Sequence, residues 1–92
     1  MKKILNYING ELRAPRNEKY LENYNPAHGL VESLVPDSDE TDVFEALDAA
    51  QSAFTKWSTT SVDTRVRFLR KIAYSIEENG EMLAQAESVD SG

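Results

Sequence analysis

Val43-Phe44-Glu45-Ala46-Leu47-Asp48-Ala49-Ala50-Gln51-Ser52-Ala53-Phe54-Thr55-Lys56-Trp57 is the stretch that decides how this chain is read. Val43, Leu47, Ala50, Phe54 and Trp57 recur at spacings that alternate between four and three, the period of an amphipathic helix with one apolar face. Asp39, Glu40 and Asp42 crowd its expected first turn, where negative charge complements the positive end of the helix dipole, and Asp39 or Thr41 carries the side-chain oxygen a cap needs. The acidic run is thereby accounted for as helix-start chemistry.

Before Pro36 the pattern is different. Leu5 to Ile8 and Glu11 to Arg13 flank Asn9-Gly10, the pair best suited to the positive φ angles of a two-residue hairpin turn, and Pro15 ends that hairpin or marks a sheet edge. Lys19 to Tyr24 reads as a third strand running into the turn Asn25-Pro26-Ala27-His28-Gly29. Leu30 to Val35, rich in aliphatic and β-branched residues, reads as a fourth strand that stops at Pro36.

Beyond Trp57 the helical pattern resumes. Thr60-Ser61-Val62-Asp63 fits a capping box and opens a second helix with Val62, Val66, Leu69, Ile72, Ala73 and Ile76 along one side. Asn79-Gly80 closes it, with Gly80 supplying a left-handed residue, and a third short helix presents Met82, Leu83, Ala86 and Val89. The expected fold class is α+β: an N-terminal hairpin and short strands over residues 1–36, then a helical hairpin and a third helix over residues 37–92, together one incomplete unit.

Bulk properties narrow the function classes. A chain of 92 residues that is 40% hydrophobic should bury something, although it is near the lower limit for a self-sufficient core. The net charge of −6 is uneven: residues 1–36 hold five basic and four acidic side chains, residues 37–92 five and twelve. The one basic cluster, Arg65, Arg67, Arg70 and Lys71, lies in that acidic half and reads as the solvated side of the second helix, so nucleic acid is not an expected partner. The apolar run after Lys2-Lys3 stops at Asn6, too short for a signal core, and no stretch approaches a membrane span; the expectation is a cytoplasmic chain.

The chemical inventory is thin. There is no cysteine, hence no disulfide, thiolate ligand or cysteine nucleophile. His28, the single histidine, sits in a turn with no partner identifiable in sequence and reads as a solvated loop residue. Glu77, Glu78 and Glu81 surround a helix end and suit solubility better than acid–base work. Gly10, Gly29, Gly80 and Gly92 are isolated from one another and form no dinucleotide-binding glycine motif. From the residues alone, no function is named.

The order of short motifs says more. Tyr7-Ile8-Asn9-Gly10-Glu11, then Asn25-Pro26-Ala27-His28-Gly29, then Val35-Pro36 before an acidic helix start follow one another along the chain. Ala46, Ala49-Ala50, Ala53-Phe54 and Trp57-Ser58 come next, followed by Arg65 with Leu69, Ile72 and Ala73, and finally Ala84-Gln85-Ala86-Glu87-Ser88-Val89-Asp90-Ser91-Gly92. In this order and spacing the chain resembles the start of the aldehyde dehydrogenase superfamily, with His28 where the family usually has threonine. Leu5-Asn6-Tyr7-Ile8 and the stretch from Ala84 to Gly92 are similar to dehydrogenases of 2-aminomuconic and 2-hydroxymuconic semialdehydes.

The resemblance implies oxidation of an aldehyde to a carboxylic acid with NAD or NADP, by a cysteine thiolate and a glutamate that the family places downstream of the matched stretch. No catalytic or cofactor-binding residue is therefore carried over, and no cofactor is expected for this chain by itself. The matched stretch would be the first part of a Rossmann-like cofactor domain, its helices packing on a sheet built by later residues. Many members also hold a monovalent cation through backbone oxygens before the Asn-Pro turn and an aspartate near the final glycine, which here are Asn23, Tyr24 and Asp90. The expected partner is the remainder of the same enzyme, or a second copy through exposed apolar helix faces. The alternative is an independent small protein-interaction module with an acidic helical surface.

Overall fold

The computed structural model describes residues 1–92. Five short strands, β1 (Lys2–Lys3), β2 (Asn6–Ile8), β3 (Glu11–Arg13), β4 (Tyr20–Tyr24) and β5 (Val31–Pro36), precede three helices, α1 (Glu40–Trp57), α2 (Val62–Glu78) and α3 (Gly80–Ser91). The α+β class is that expected, and so is the order of the elements after β1, a strand the sequence did not announce.

β2 and β3 form the antiparallel hairpin, with Ile8 opposite Glu11. Its turn places Asn9 at φ 53° and Gly10 at φ 77°, the two consecutive left-handed residues of a type I′ turn, whose twist matches that of the strands. A separate three-stranded sheet has β5 at its centre, antiparallel to β4 and parallel to β1. β1 has no sequence signature: two lysines show no alternation, and the pairing of Lys2 with Ser33 and Lys3 with Leu34 joins residues far apart in the chain. β5 runs one residue further than expected and includes Pro36, which a strand terminus tolerates because the missing N–H would end the ladder there.

Asp39 caps α1, its carboxylate accepting the Thr41 N–H at 3.0 Å, as one of the two expected caps. The cap of α2 corrects the expectation. Ser61, not Thr60, occupies the cap, accepting the Thr64 N–H at 3.2 Å while its hydroxyl donates to Thr64 Oγ1; Thr60 turns back to the Lys56 carbonyl. Gly80 also differs from expectation. It is the first residue of α3 and is absent from the left-handed glycines, because Asn79 carries the junction, its N–H bonded to the Ser75 carbonyl and its own carbonyl accepting the Leu83 N–H.

The start of α1 and the residues just before it are fastened to the N-terminal strands and the loop after β3 by polar contacts. Asn6 Nδ2 donates to Ser38 Oγ at 2.8 Å, Asn17 Nδ2 to the Asp37 carbonyl at 2.9 Å, and the Arg16 N–H to the Asp42 carboxylate at 3.2 Å. Arg16 and Arg13 both pair with Glu45, at 2.6 and 3.6 Å. The sequence reading credited Asp42 only with complementing the helix dipole. In the structure it is one of five buried residues, with Ile8, Pro15, Asn25 and Ser33, and it tethers the loop after β3.

The remaining helical surface is uncovered. Val43, Leu47, Phe54, Val62, Leu69, Ile72 and Ile76 are each more than half exposed. α1 and α2 meet at their shared end, where the Trp57 and Phe68 rings stand edge to face at 5.5 Å. The Cα radius of gyration is 16.8 Å, against roughly 12 Å for a compact chain of this length. No helix is long and apolar enough to cross a membrane.

Candidate functional site

A polar locus lies where β4 runs into the Asn25-Pro26 turn and the end of α3 comes alongside. Asn25 is buried and builds the turn twice over. Its side-chain oxygen accepts the Ala27 N–H at 2.8 Å, and its backbone accepts the Gly29 N–H at 2.7 Å while donating to the Leu30 carbonyl at 2.9 Å. Gly29 sits at φ 72°, a conformation open to glycine and strained for other residues.

His28 is spent within this turn. Nδ1 accepts the Leu30 N–H at 3.2 Å and Nε2 faces Glu32 Oε1 at 3.1 Å, which fixes the proton on Nε2 in the neutral ring. Both nitrogens have partners near the turn, and the side chain is still 45% exposed, as a solvated loop residue is.

The three residues singled out for a cation are treated unequally. Asn23 and Asp90, separated by 67 positions, are brought into contact: Asn23 Nδ2 donates to Asp90 Oδ1 at 3.0 Å and to Ser33 Oγ at 3.2 Å. Gly92 lies against Pro26, at ordinary van der Waals distance for an added Cβ. Tyr24 follows Asn23 across a register shift in the β4–β5 ladder, and its phenol points elsewhere, donating to Glu22 Oε2 at 2.6 Å. That hydrogen bond, with repulsion between phenolate and carboxylate, holds the Tyr24 phenol above its ordinary pKa.

The chemistry of this locus is that of oxygen ligands without a nucleophile. Asp90 offers a carboxylate, and the register shift is the kind of irregularity that turns backbone carbonyls out of a ladder. No cluster of three or more histidine, aspartate or glutamate side chains is assembled anywhere in the chain.

The basic cluster on α2 divides. Arg65, taken in sequence as part of a solvated face, donates from Nη2 to the Trp57 and Ser58 carbonyls at 3.2 and 3.3 Å and lies 5.6 Å from the Trp57 ring centroid. It thus gives the Ser58 carbonyl a partner, adds a second donor to the Trp57 carbonyl that already accepts the Thr60 N–H at 3.0 Å, and lies over the last aromatic ring of α1. The signal for this was the spacing of Arg65 eight residues after Trp57 across a short joint, which no single-helix pattern exposes. Arg67, Arg70 and Lys71 take part in no ion pair.

Over 87 residues the chain is 46% identical to an aldehyde dehydrogenase of Vibrio cholerae serotype O1, covering 95% of this chain and 17% of that protein. It is 42% identical, with the same coverage, to acetaldehyde dehydrogenase 2 of Cupriavidus necator and to aldehyde dehydrogenase B of Escherichia coli strain K12. The chain therefore spans about one sixth of the length of these relatives. Residues 13–92 match the sequence pattern described as the aldehyde dehydrogenase family, and with most of its length inside that match this chain belongs to the aldehyde dehydrogenase family.

Proposed function

We propose that this chain supplies the first part of the cofactor-binding domain of an enzyme that oxidises an aldehyde to its carboxylic acid with NAD(P)+, and is inactive by itself. The observation that carries the reading is the uncovered apolar surface of α1 and α2 in a chain whose relatives are about six times longer. Helix faces with Leu47, Phe54, Leu69, Ile72 and Ile76 exposed are built to lie against something, and burying each such side chain is worth about 1.5–3 kcal/mol. The partner in this reading is the remainder of the same enzyme, whose sheet the helices cover.

The cofactor would accept the hydride from the aldehyde carbon when bound. The residues present do not build a cradle for it. Gly10 and Gly29 serve tight turns, Gly80 opens a helix and Gly92 packs on Pro26, so no step is assigned to them. What this segment does for the reaction is positional: the Asp42 and Arg16 contacts fix α1 on the strands, and the Arg65 joint sets where α2 begins.

The cation reading is proposed for the complete enzyme, with the Asn23 and Tyr24 carbonyls and the Asp90 carboxylate as oxygen ligands. Its support is the meeting of β4 and α3 at Asn23 and Asp90. The substrate proposed is a muconic semialdehyde, on the residues Leu5 to Ile8 and Ala84 to Gly92. Relatives named for acetaldehyde supply the comparison substrate.

The test begins with the reading frame beyond Gly92. An open frame carrying a cysteine and a glutamate in the family's order is expected, and its full product should form NAD(P)H from 2-hydroxymuconic semialdehyde with kcat/KM about tenfold or more above acetaldehyde, the discrimination a fitted pocket provides. A preference for acetaldehyde would discard the substrate proposal and keep the family function. Turnover by the 92-residue chain alone would overturn the proposal that it is inactive by itself.

A further inference from the structure

α3 carries an electrostatic mismatch. Glu87 and Asp90 lie in or near its last turn, which has no basic residue, so negative charge sits at the negative end of the helix dipole. The helix also stands off the three-stranded sheet across a cleft of about 310 Å³ lined in part by Ile4, Met82, Ala86 and Val89. One hydrogen bond joins α3 to that sheet, from Asn23 Nδ2 to Asp90 Oδ1 at 3.0 Å. The amide has two N–H groups, and the other is directed to Ser33 Oγ at 3.2 Å. Asn23 and Ser33 are register partners on β4 and β5, and Ser33 is buried on the central strand, so the amide is pinned from behind.

We infer that Asn23 is a positioning residue: its amide, anchored on Ser33, latches the C-terminal end of α3 to the sheet by gripping the Asp90 carboxylate and offsets the charge that would otherwise fray that end. The inference stands on this geometry and needs neither the proposed cofactor nor the proposed cation. A hydrogen bond to a carboxylate is among the stronger side-chain bonds, and Oδ2 is left without a protein partner.

The test is amide hydrogen exchange on the full 92-residue chain with Asp90→Ala, Asp90→Asn and Asn23→Leu. The sign decides the matter. If Asp90 acts only within its helix, Asp90→Ala removes an unfavourable charge and adds a better helix former, so exchange in α3 should slow. If the latch holds, losing a hydrogen bond to a carboxylate outweighs both of those gains, and the same substitution should speed exchange over residues 80–91 about fivefold, a net loss of about 1 kcal/mol, while the β2–β3 hairpin stays unchanged.

Asp90→Asn keeps a carbonyl acceptor and should recover much of the protection. The Asn23→Leu, Asp90→Ala double variant should exchange no faster in α3 than the faster single one, since both remove the same bond. Slower or unchanged exchange in Asp90→Ala, or an α3 that is unprotected in the parent chain, overturns the inference. Should Asn23→Leu disrupt the sheet itself, the pair of Asp90 variants decides it alone.

Discussion

The first turns of α1 and the whole of α2 are both amphipathic helix, and the structure treats them in opposite ways. α1 begins inside a polar network: the Asp42 carboxylate is buried under the Arg16 N–H, and Glu45 holds Arg13 and Arg16. α2 has no buried residue, and its row of Val66, Leu69, Ile72 and Ile76 lies open. The difference teaches that polar tethering is complete within this chain, whereas apolar burial is not. Directional contacts need only one partner atom each, but covering a helix face needs a second surface.

Within the 92-residue chain, the largest expected effect tests the tethered side of that comparison. Asp42→Ala leaves the Arg16 N–H without its buried acceptor and should cost about 1–3 kcal/mol of unfolding free energy, read by urea titration of hairpin amide signals. A loss below a few tenths would mean that the network is incidental and the contrast unfounded. Arg65→Ala comes next. Removing the guanidinium frees the Ser58 carbonyl, leaves the Trp57 carbonyl with the Thr60 N–H alone and uncovers the indole, which should cost about 0.5–1.5 kcal/mol and shift Trp57 fluorescence to longer wavelength.

On the open side, Ile72→Ala should change the stability of the 92-residue chain by less than about 0.5 kcal/mol, because the side chain is already half exposed. In the complete enzyme the same substitution should cost about 2–5 kcal/mol, by the removal of a buried aliphatic group. An equal, large loss in both would show that α2 is covered within this chain. The smallest effect is local. Glu22→Gln removes the negative charge beside the Tyr24 phenol, so an ultraviolet titration should find that phenol ionising at lower pH than in the parent; no change would remove Glu22 as the cause.

The legible parts of the fold share a short range. Asn9-Gly10 announced its turn because positive φ at two consecutive residues is an intrinsic demand met by that pair. Asp39 was one of two caps on offer, with Thr41, because its short side chain can accept a first-turn N–H. The misread cap at Ser61 shows the limit: Thr60, Ser61 and Thr64 all have the right hydroxyls, and the path of the chain after α1 selects among them. Of the site, Asn23 and Asp90 were reached through a family resemblance, and their direct side-chain contact was in no local pattern.

By itself, then, the sequence determined the elements whose causes lie within about four residues: the hairpin turn, the helix spans, the switch of period after Pro36 and the apolar stripes. Tertiary structure decided which partners met. It paired Lys2-Lys3 with the centre of β5, buried Asp42 beneath Arg16, turned Arg65 onto the end of α1 and set Asn23 against Asp90 across 67 residues. The physical reason is that propensity, capping and periodicity act through neighbours along the chain, whereas a contact between distant residues depends on the whole path that brings them together.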